Sequence, residues 1–464
     1  MILDKEKLYT STRNACKLCT PLGACVAFKG VKGCVPLIHG SQGCATYIRR
    51  YMISHYREPV DIASSSFSEE SAIFGGNKNF NTGITNIIDQ YKPEVIAITS
   101  TCLSETIGED IGKLIKEYKA INAGDELPEF VYASTPSYQG THMDGFHEAV
   151  FALVKTFAEP GRTSEAINIF PGFVSPEDLR HIKRILADFR IQYIMIPDYS
   201  LSLDNPNWDD YTRIPEGGTP VDVIRESGKS LGSIEFGNVF NKGALAGRIR
   251  EARNLQTAGE YLEHKFDVIN HQTGLPIGIN QTDRFFELLS KISDKPVPEK
   301  YRYQRGRLID SYVDGHKYCF GKKAVVYGEE DLVISLTGFL QEIGIDVVLA
   351  ATGGESNSFH EKINSDKSDN TKEILTRSGA DFETIHELSK ELKPDIFIGN
   401  SKAYYITREL GIPLIRIGFP IHDRIGAQRQ QCLGYEGTQQ LYDRLVNALL
   451  EYKQEKSAVG YKYL

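Results

Sequence analysis

One unit recurs along the chain: a short apolar, β-branched run, a turn of Gly, Pro or Asp, then a segment whose apolar positions have helical spacing. The runs fall at 94–99, 166–170, 193–196, 323–327, 346–350, 395–398 and 412–417. They are apolar at consecutive rather than alternate positions, which predicts strands buried on both faces of a parallel sheet. Ser175-Pro176-Glu177-Asp178 predicts a helix start, with an N-cap Ser, Pro at the first helical position and a carboxylate at the third. Strands alternating with helices make an α/β chain of doubly wound, parallel sheets. The turn-rich stretches Glu159-Pro160-Gly161-Arg162 and Cys319-Phe320-Gly321-Lys322 divide it into 1–160, 161–318 and 319–464. The polar segment 356–372 predicts a surface loop, and no repeat of fixed period is present.

Composition narrows the class. The 464 residues are 41% hydrophobic and 25% charged, with a net charge of −8, an ordinary globular balance. No apolar run approaches the roughly 20 residues needed to span a bilayer. Residues 1–7 are charged and lack the apolar core of a signal peptide, so the chain reads as cytoplasmic, with no membrane partner. Mild acidity without a basic stretch to track phosphates argues against nucleic acid as the main partner. Six of the eight cysteines (Cys16, Cys19, Cys25, Cys34, Cys44, Cys102) lie early, and only Cys319 and Cys432 follow. That distribution is not a secreted disulfide framework; clustered thiols in a reducing compartment mean metal, redox chemistry or burial.

Three stretches carry the chemistry. Cys16-Lys17-Leu18-Cys19 is a CxxC, but zinc would need a second pair at matching spacing, and a thioredoxin-like site would follow a strand. In His39-Gly40-Ser41-Gln42-Gly43-Cys44, two glycines bracket a tight turn that presents a sulfur at its tip; a buried Cys beside a Gly-rich turn is the plainer reading. In Thr99-Ser100-Thr101-Cys102-Leu103-Ser104-Glu105, a buried strand runs into a loop carrying Cys102, where open α/β sheets bind ligands. Thiolates hold iron–sulfur clusters, four to the common cubane. The set Cys19, Cys44 and Cys102 is one short, which fits a cluster at a subunit interface completed by a partner.

The stretch 16–76 resembles the nitrogenase component 1 family, in its β-like branch. The resemblance rests on Cys19-Thr20-Pro21-Leu22-Gly23-Ala24, Pro36-Leu37-Ile38-His39-Gly40-Ser41-Gln42-Gly43-Cys44, His55-Tyr56-Arg57-Glu58-Pro59, Phe67-Ser68-Glu69 and Phe74-Gly75-Gly76. It continues through Thr101–Gly108, Thr135-Pro136-Ser137-Tyr138, Phe170-Pro171-Gly172-Phe173, Pro215-Glu216-Gly217-Gly218-Thr219 and Gly418-Phe419-Pro420. It implies three Rossmann-like domains, the first carrying the cluster cysteines. It also implies pairing with a homologous α-like subunit in an α2β2 assembly, and transient contact with the nitrogenase iron protein. In catalytic β subunits, cysteines matching Cys19, Cys44 and Cys102 ligate half of an eight-iron P-cluster. In the scaffold, the match to Cys44 ligates an interfacial four-iron four-sulfur cluster.

Asp423-Arg424-Ile425-Gly426-Ala427-Gln428, Asn14-Ala15-Cys16-Lys17-Leu18-Cys19 and Ala45-Thr46-Tyr47-Ile48-Arg49-Arg50 resemble the scaffold branch. The leading expectation is therefore a subunit of a NifEN-type scaffold, with a NifE-type partner, on which the iron–molybdenum cofactor precursor is matured. On that reading the chain is not itself a catalyst. The alternative is the β subunit of the catalytic molybdenum–iron protein, an oxidoreductase with a NifD-type partner and half a P-cluster; the presence of both Cys19 and Cys102 speaks for it. A metal-free Rossmann-like binding protein is the outside alternative.

Other residues are weighed individually. Ser137 is a candidate hydroxyl ligand or hydrogen-bond donor to the cluster, or a turn cap. Cys16 is an alternative ligand, and Cys25 and Cys34 read as core. His39 reads as structural, and His142 and His147 as ordinary helix residues. Arg49, Arg50 and Arg57 read as ion-paired or, alternatively, as offsetting cluster charge and docking the iron protein. No Walker motif is present, and the pairs Gly217-Gly218 and Gly353-Gly354 are too little to predict phosphate loops.

Overall fold

The computed structural model describes residues 14–237, 239, 257–356, 358–364 and 373–458. Within them lie three sheets whose paired strands all run parallel. The first contains β1 (Cys34–His39), β2 (Ala63–Ser64), β3 (Val95–Ser100) and β4 (Glu129–Ala133), ordered β2-β1-β3-β4. The second contains β5 (Ile167–Phe170), β6 (Tyr193–Met195), β7 (Gly232–Phe236) and β8 (Ile269–Thr273), ordered β6-β5-β7-β8. The third contains β9 (Lys323–Gly328), β10 (Asp346–Thr352), β11 (Leu375–Arg377), β12 (Ile396–Gly399) and β13 (Leu414–Arg416), ordered β11-β10-β9-β12-β13.

All seven predicted runs form strands, as β3, β5, β6, β9, β10, β12 and β13. The other strands break the apolar pattern for physical reasons. β1 carries Pro36, which lacks an N–H; β2 pairs with β1 only at Leu37 and Ile38, so Pro36 precedes that ladder. β7 is wholly buried yet contains Glu235, whose carboxylate accepts from Thr257 Oγ1 at 2.7 Å and Asn270 Nδ2 at 2.9 Å. β8 is a half-exposed sheet edge. Segment 356–372 is not all loop: Phe359–Asn364 is helical, because Phe359 and Ile363, four residues apart, are buried on one face.

Ser175 caps the Pro176–Asp188 helix as expected, accepting from the Asp178 N–H at 2.9 Å. Asp178 does a second job: its carboxylate receives the N–H groups of Cys432 and Leu433 at 2.8 and 3.0 Å, tying the C-terminal part to the second sheet. Gly218, at φ +90°, lies where a Cβ would come within 2.5 Å of the Lys32 nitrogen, so Pro215–Thr219 packs against the lead-in to β1. His55 joins the first sheet's layer to the third: its Nδ1 accepts from Ile421 N–H at 2.9 Å, and its ring packs on Phe419. Among the described residues no helix is long and apolar enough to cross a membrane.

Two buried groups give opposite pH dependences. Burial holds His55 down at about 3, so acid protonates the unfolded chain first, and stability is lost as pH falls below about 6.5. Burial pushes Glu330 up to about 8, so its contribution is present below about pH 4.5 and lost as pH rises toward 8. Glu330→Gln removes the second effect. Its urea midpoint is expected to gain on wild type between pH 5 and pH 8; equal pH slopes for the two proteins would contradict the assignment.

Candidate functional site

Three loops of the first sheet meet beyond the carboxyl ends of its strands, where such sheets bind ligands. β1 leads through Gly40 to the Ser41 N-cap of the Gln42–Tyr56 helix, whose first turn carries Cys44. β3 leads to Thr101, which caps the short Cys102–Thr106 helix in a reciprocal capping box with Ser104. β4 leads to the single turn Ser137–Gln139. The first two loops are locked together. A Cβ on Gly40 would lie 2.5 Å from the Thr101 side chain, and Thr101 Oγ1 donates to the His39 carbonyl at 3.1 Å.

Cys19 arrives from elsewhere. It is the N-cap of the Thr20–Phe28 helix, which is buried on every side. That helix crosses the His142–Phe157 helix at backbone contact: a Cβ on Gly23 would lie 1.6 Å from the His142 carbonyl oxygen, and one on Gly145 would lie 1.9 Å from that of Thr20. The two glycines let the helices approach so closely, and the crossing sets Cys19 over the strand ends.

The structure brings together all four residues singled out in the sequence. Ser137 N–H donates to Cys102 Sγ at 3.2 Å, and Ser137 Oγ accepts from the Thr20 N–H at 3.2 Å, beside Cys19. Ser41 Oγ donates to Cys44 Sγ at 3.5 Å. Burial pushes the Cys19 thiol up to about 11, and the Cys44 and Cys102 sulfurs add to the shift, so Cys19 stands within reach of both. Cys44 and Cys102 are exposed and Cys19 is half-buried, while the other five cysteines are buried.

The set fits a wide group better than a single ion. Among the described residues no three His, Cys, Asp or Glu side chains close around one metal ion. The buried hydroxyl of Thr20 has no hydrogen-bond partner. A Cβ on Gly43, beside Cys44, would meet only Ser41 Oγ, at 3.8 Å, so that surface is clear of the chain's own atoms. Tyr47, Leu103 and Tyr138, on the segments of Cys44, Cys102 and Ser137 respectively, are exposed large side chains.

Sequence reasoning missed the supports. Glu105 accepts from Ser100 Oγ, Ser134 Oγ and Tyr132 OH at 2.6, 2.5 and 3.1 Å, joining the loops after β3 and β4. Glu109 bridges His39 Nε2 at 3.3 Å and the Gly76 N–H at 2.7 Å, and His39 is buried between Phe67 and Phe80, a structural role as expected. His142 is more than an ordinary helix residue: its Nδ1 accepts from Leu18 N–H at 3.2 Å, and its Nε2 meets the Glu329 carboxylate. The Thr101-x-x-Ser104 cap was a readable signal for the loop before Glu105; nothing local marks His142. Cys16 is buried among Tyr327, Leu349 and Phe382 on the third sheet, apart from the other three. Arg49 bonds Val60 O and Asp61, and Arg57 bonds His422 O, so both are engaged within the chain.

Comparison with known proteins agrees with this fold. The family model for nitrogenase component 1 type oxidoreductase matches residues 19–450. The nitrogenase molybdenum-iron protein beta chain of Clostridium pasteurianum is 34% identical over 448 residues, covering 94% of this chain and 93% of its own length. Those of Methanococcus maripaludis and Azotobacter vinelandii are 33% and 32% identical, over 97% and 96% of this chain and 96% and 86% of their own lengths. A solved chain titled nitrogenase Cp1 at pH 6.5 superposes with a TM-score of 0.91 at 33% identity, covering 100% of this chain and 98% of its own. A chain titled nitrogenase Cp1 at pH 5, at 14% identity and a TM-score of 0.68, shares the fold.

The helix crossing and the clear surface at Gly43 make contrasting variants. Gly23→Ala is expected to lower stability by about 1–3 kcal/mol or more through overpacking, and to speed alkylation of Cys19. Gly43→Ala is expected to leave stability within about 0.5 kcal/mol or to raise it slightly. Chemical denaturation with timed thiol labelling reads both; equal effects would refute the crossing's role.

Proposed function

Because the chain belongs to the nitrogenase component 1 family, as a β-type subunit, we propose that it is the β chain of a molybdenum–iron-type protein. On this reading Cys19, Cys44 and Cys102 hold one half of an iron–sulfur cluster shared with an α-type subunit. The observation that carries it is the convergence of three thiols from separate segments, two of them exposed and flanked in sequence by exposed Tyr47 and Leu103. Three thiolates leave a cubane one ligand short, and a second chain supplies the remainder while covering those side chains. Proteins of this family carry iron–sulfur clusters, and its β chains assemble with an α-type subunit into a heterotetramer.

The named relatives favour this alternative over the NifEN-type scaffold expected first from the sequence. The stretch Asp423–Gln428 that pointed to a scaffold has a folding explanation. Asp423 takes a forked bond from Arg416, at 2.9 and 2.7 Å, and accepts from Ser401 Oγ, while Gly426 turns the chain at φ +86°. Asp423 and Gly426 are accounted for without reference to any cluster.

When bound, an iron–sulfur cluster supplies one-electron carriage. The chain's residues set its surroundings. The thiolates hold it, and the Ser137 N–H and Ser41 hydroxyl donate to sulfur, which withdraws charge and raises a cluster's potential. Ser137 acts as a positioning residue, because its N–H touches Cys102 and its Oγ anchors the segment of Cys19. The transient electron donor is the nitrogenase iron protein.

Anaerobic co-expression with an α-type subunit, followed by iron counting and EPR, tests this. Cys19→Ala, Cys44→Ala and Cys102→Ala are each expected to lose iron and the wild-type signal. If only Cys44→Ala disturbs a four-iron signal, the scaffold reading is correct instead.

A further inference from the structure

We propose that residues 14–18 are a strap through which the loops of the third sheet position Cys19, with Lys402 and the His142–Glu329 pair as positioning residues. This rests on the reading of Cys19 as a cluster ligand.

The third sheet has the doubly wound order β11-β10-β9-β12-β13, with its topological switch at β9 and β12. The crevice beyond those strand ends is where such sheets take a ligand. Here the chain's own N-terminal segment occupies that crevice. Asn14 O accepts from Phe382 N–H at 3.2 Å, and Ala15 pairs with Asp381 in an isolated antiparallel bridge. Cys16 N–H donates to Ala380 O at 3.0 Å, and Cys16 O accepts from Gly353 N–H at 3.2 Å. Lys402, in the loop after β12, donates from Nζ to Ala15 O at 2.5 Å.

The glycine pair after β10 gains a role here. A Cβ on Gly353 would lie 2.5 Å from Cys16 O and 2.7 Å from Lys17 Cβ, so glycine is needed for the strap to pass. The Cys16 side chain is 4% exposed, an apolar anchor rather than a reactive thiol.

From the crevice the grip continues to the ligand. Leu18 is held at both backbone groups by His142: its N–H donates to Nδ1 at 3.2 Å, and its carbonyl accepts the His142 N–H at 3.1 Å. With Nδ1 accepting, Nε2 carries the proton, and it faces Glu329, in the loop after β9. Thr20, one residue past Cys19, is fixed by Ser137. Little slack remains between the third sheet's loops and Cys19, so movement of those loops is passed to that sulfur.

The test uses the assembled complex with its α-type subunit. Lys402→Met removes the donor, Lys402→Arg keeps one, and Gly353→Ala pushes on Cys16 O from the other side; thermal melting is measured alongside. Lys402→Met and Gly353→Ala are expected to shift the cluster's midpoint potential and lose iron, in the direction of Cys19→Ala but less. Lys402→Arg is expected to restore both. In a Cys19→Ala background, Lys402→Met should add nothing to the EPR spectrum. If Cys19→Ala changes the cluster while Lys402→Met and Gly353→Ala do not, or if their effects persist without Cys19, the strap inference is overturned. If Cys19→Ala itself leaves the cluster unchanged, the ligand reading fails and the strap falls with it.

Discussion

The backbone contact between the Thr20–Phe28 and His142–Phe157 helices governs the rest of the structure. Two glycines, Gly23 and Gly145, face the opposite helix at a distance no side chain tolerates. A nine-residue helix has little stability of its own in water, and this one is apolar on every side, so burial holds it. The crossing therefore sets the helix's height over the first sheet, and with it the N-cap, which is Cys19. A larger residue at either glycine would lift the helix, opening the core beneath it and moving the sulfur together.

The same economy holds around the other thiols. Cys44 and Cys102 sit on loops that would be free to move, but Thr101, Glu105 and Ser137 tie those loops to each other and to Thr20. The loops are cross-linked up to the sulfurs, and two of these remain exposed. Exposed thiols beside exposed aromatic and apolar side chains are a poor end state for a lone chain. On the proposed reading a shared cluster and a second subunit would cover both.

Much of the fold was legible because its strands are buried on both faces, which writes β-branched runs directly into the chain. What escaped was set by context. β1 hides behind Pro36, which is tolerated because its neighbour β2 is only two residues long; β7 hides behind Glu235, whose partners lie over 20 residues away; and β8 is a polar edge. The cysteines were legible through their turns, since Gly40, Thr101 and Pro136 announce loops at strand ends. Their supports were not, because Leu18 and His142 are 124 residues apart, and no local pattern shows that they touch. In the stretch from Asp423 to Gln428, Asp423 meets Arg416 and Ser401, which is a demand of packing.

Burial and exposure then separate the eight cysteines by role more sharply than spacing does. Cys16 and Cys19 form a textual pair, yet the chain between them leaves one domain's core and enters another's site. Burial pushes the Cys16 thiol up to about 12, where thiolate chemistry near neutral pH is out of reach. Cys19 is also raised, to about 11, in part by the neighbouring sulfurs. A thiol raised by neighbouring sulfurs is one that a cation placed among them would lower again, because the same proximity that repels three thiolates concentrates their charge on a metal. Crowding of like charge without a counter-ion is a cost that a folded chain bears only where something else removes it. On the proposed reading iron would remove it, and Cys19, costly to ionise alone, would bind together with its neighbours.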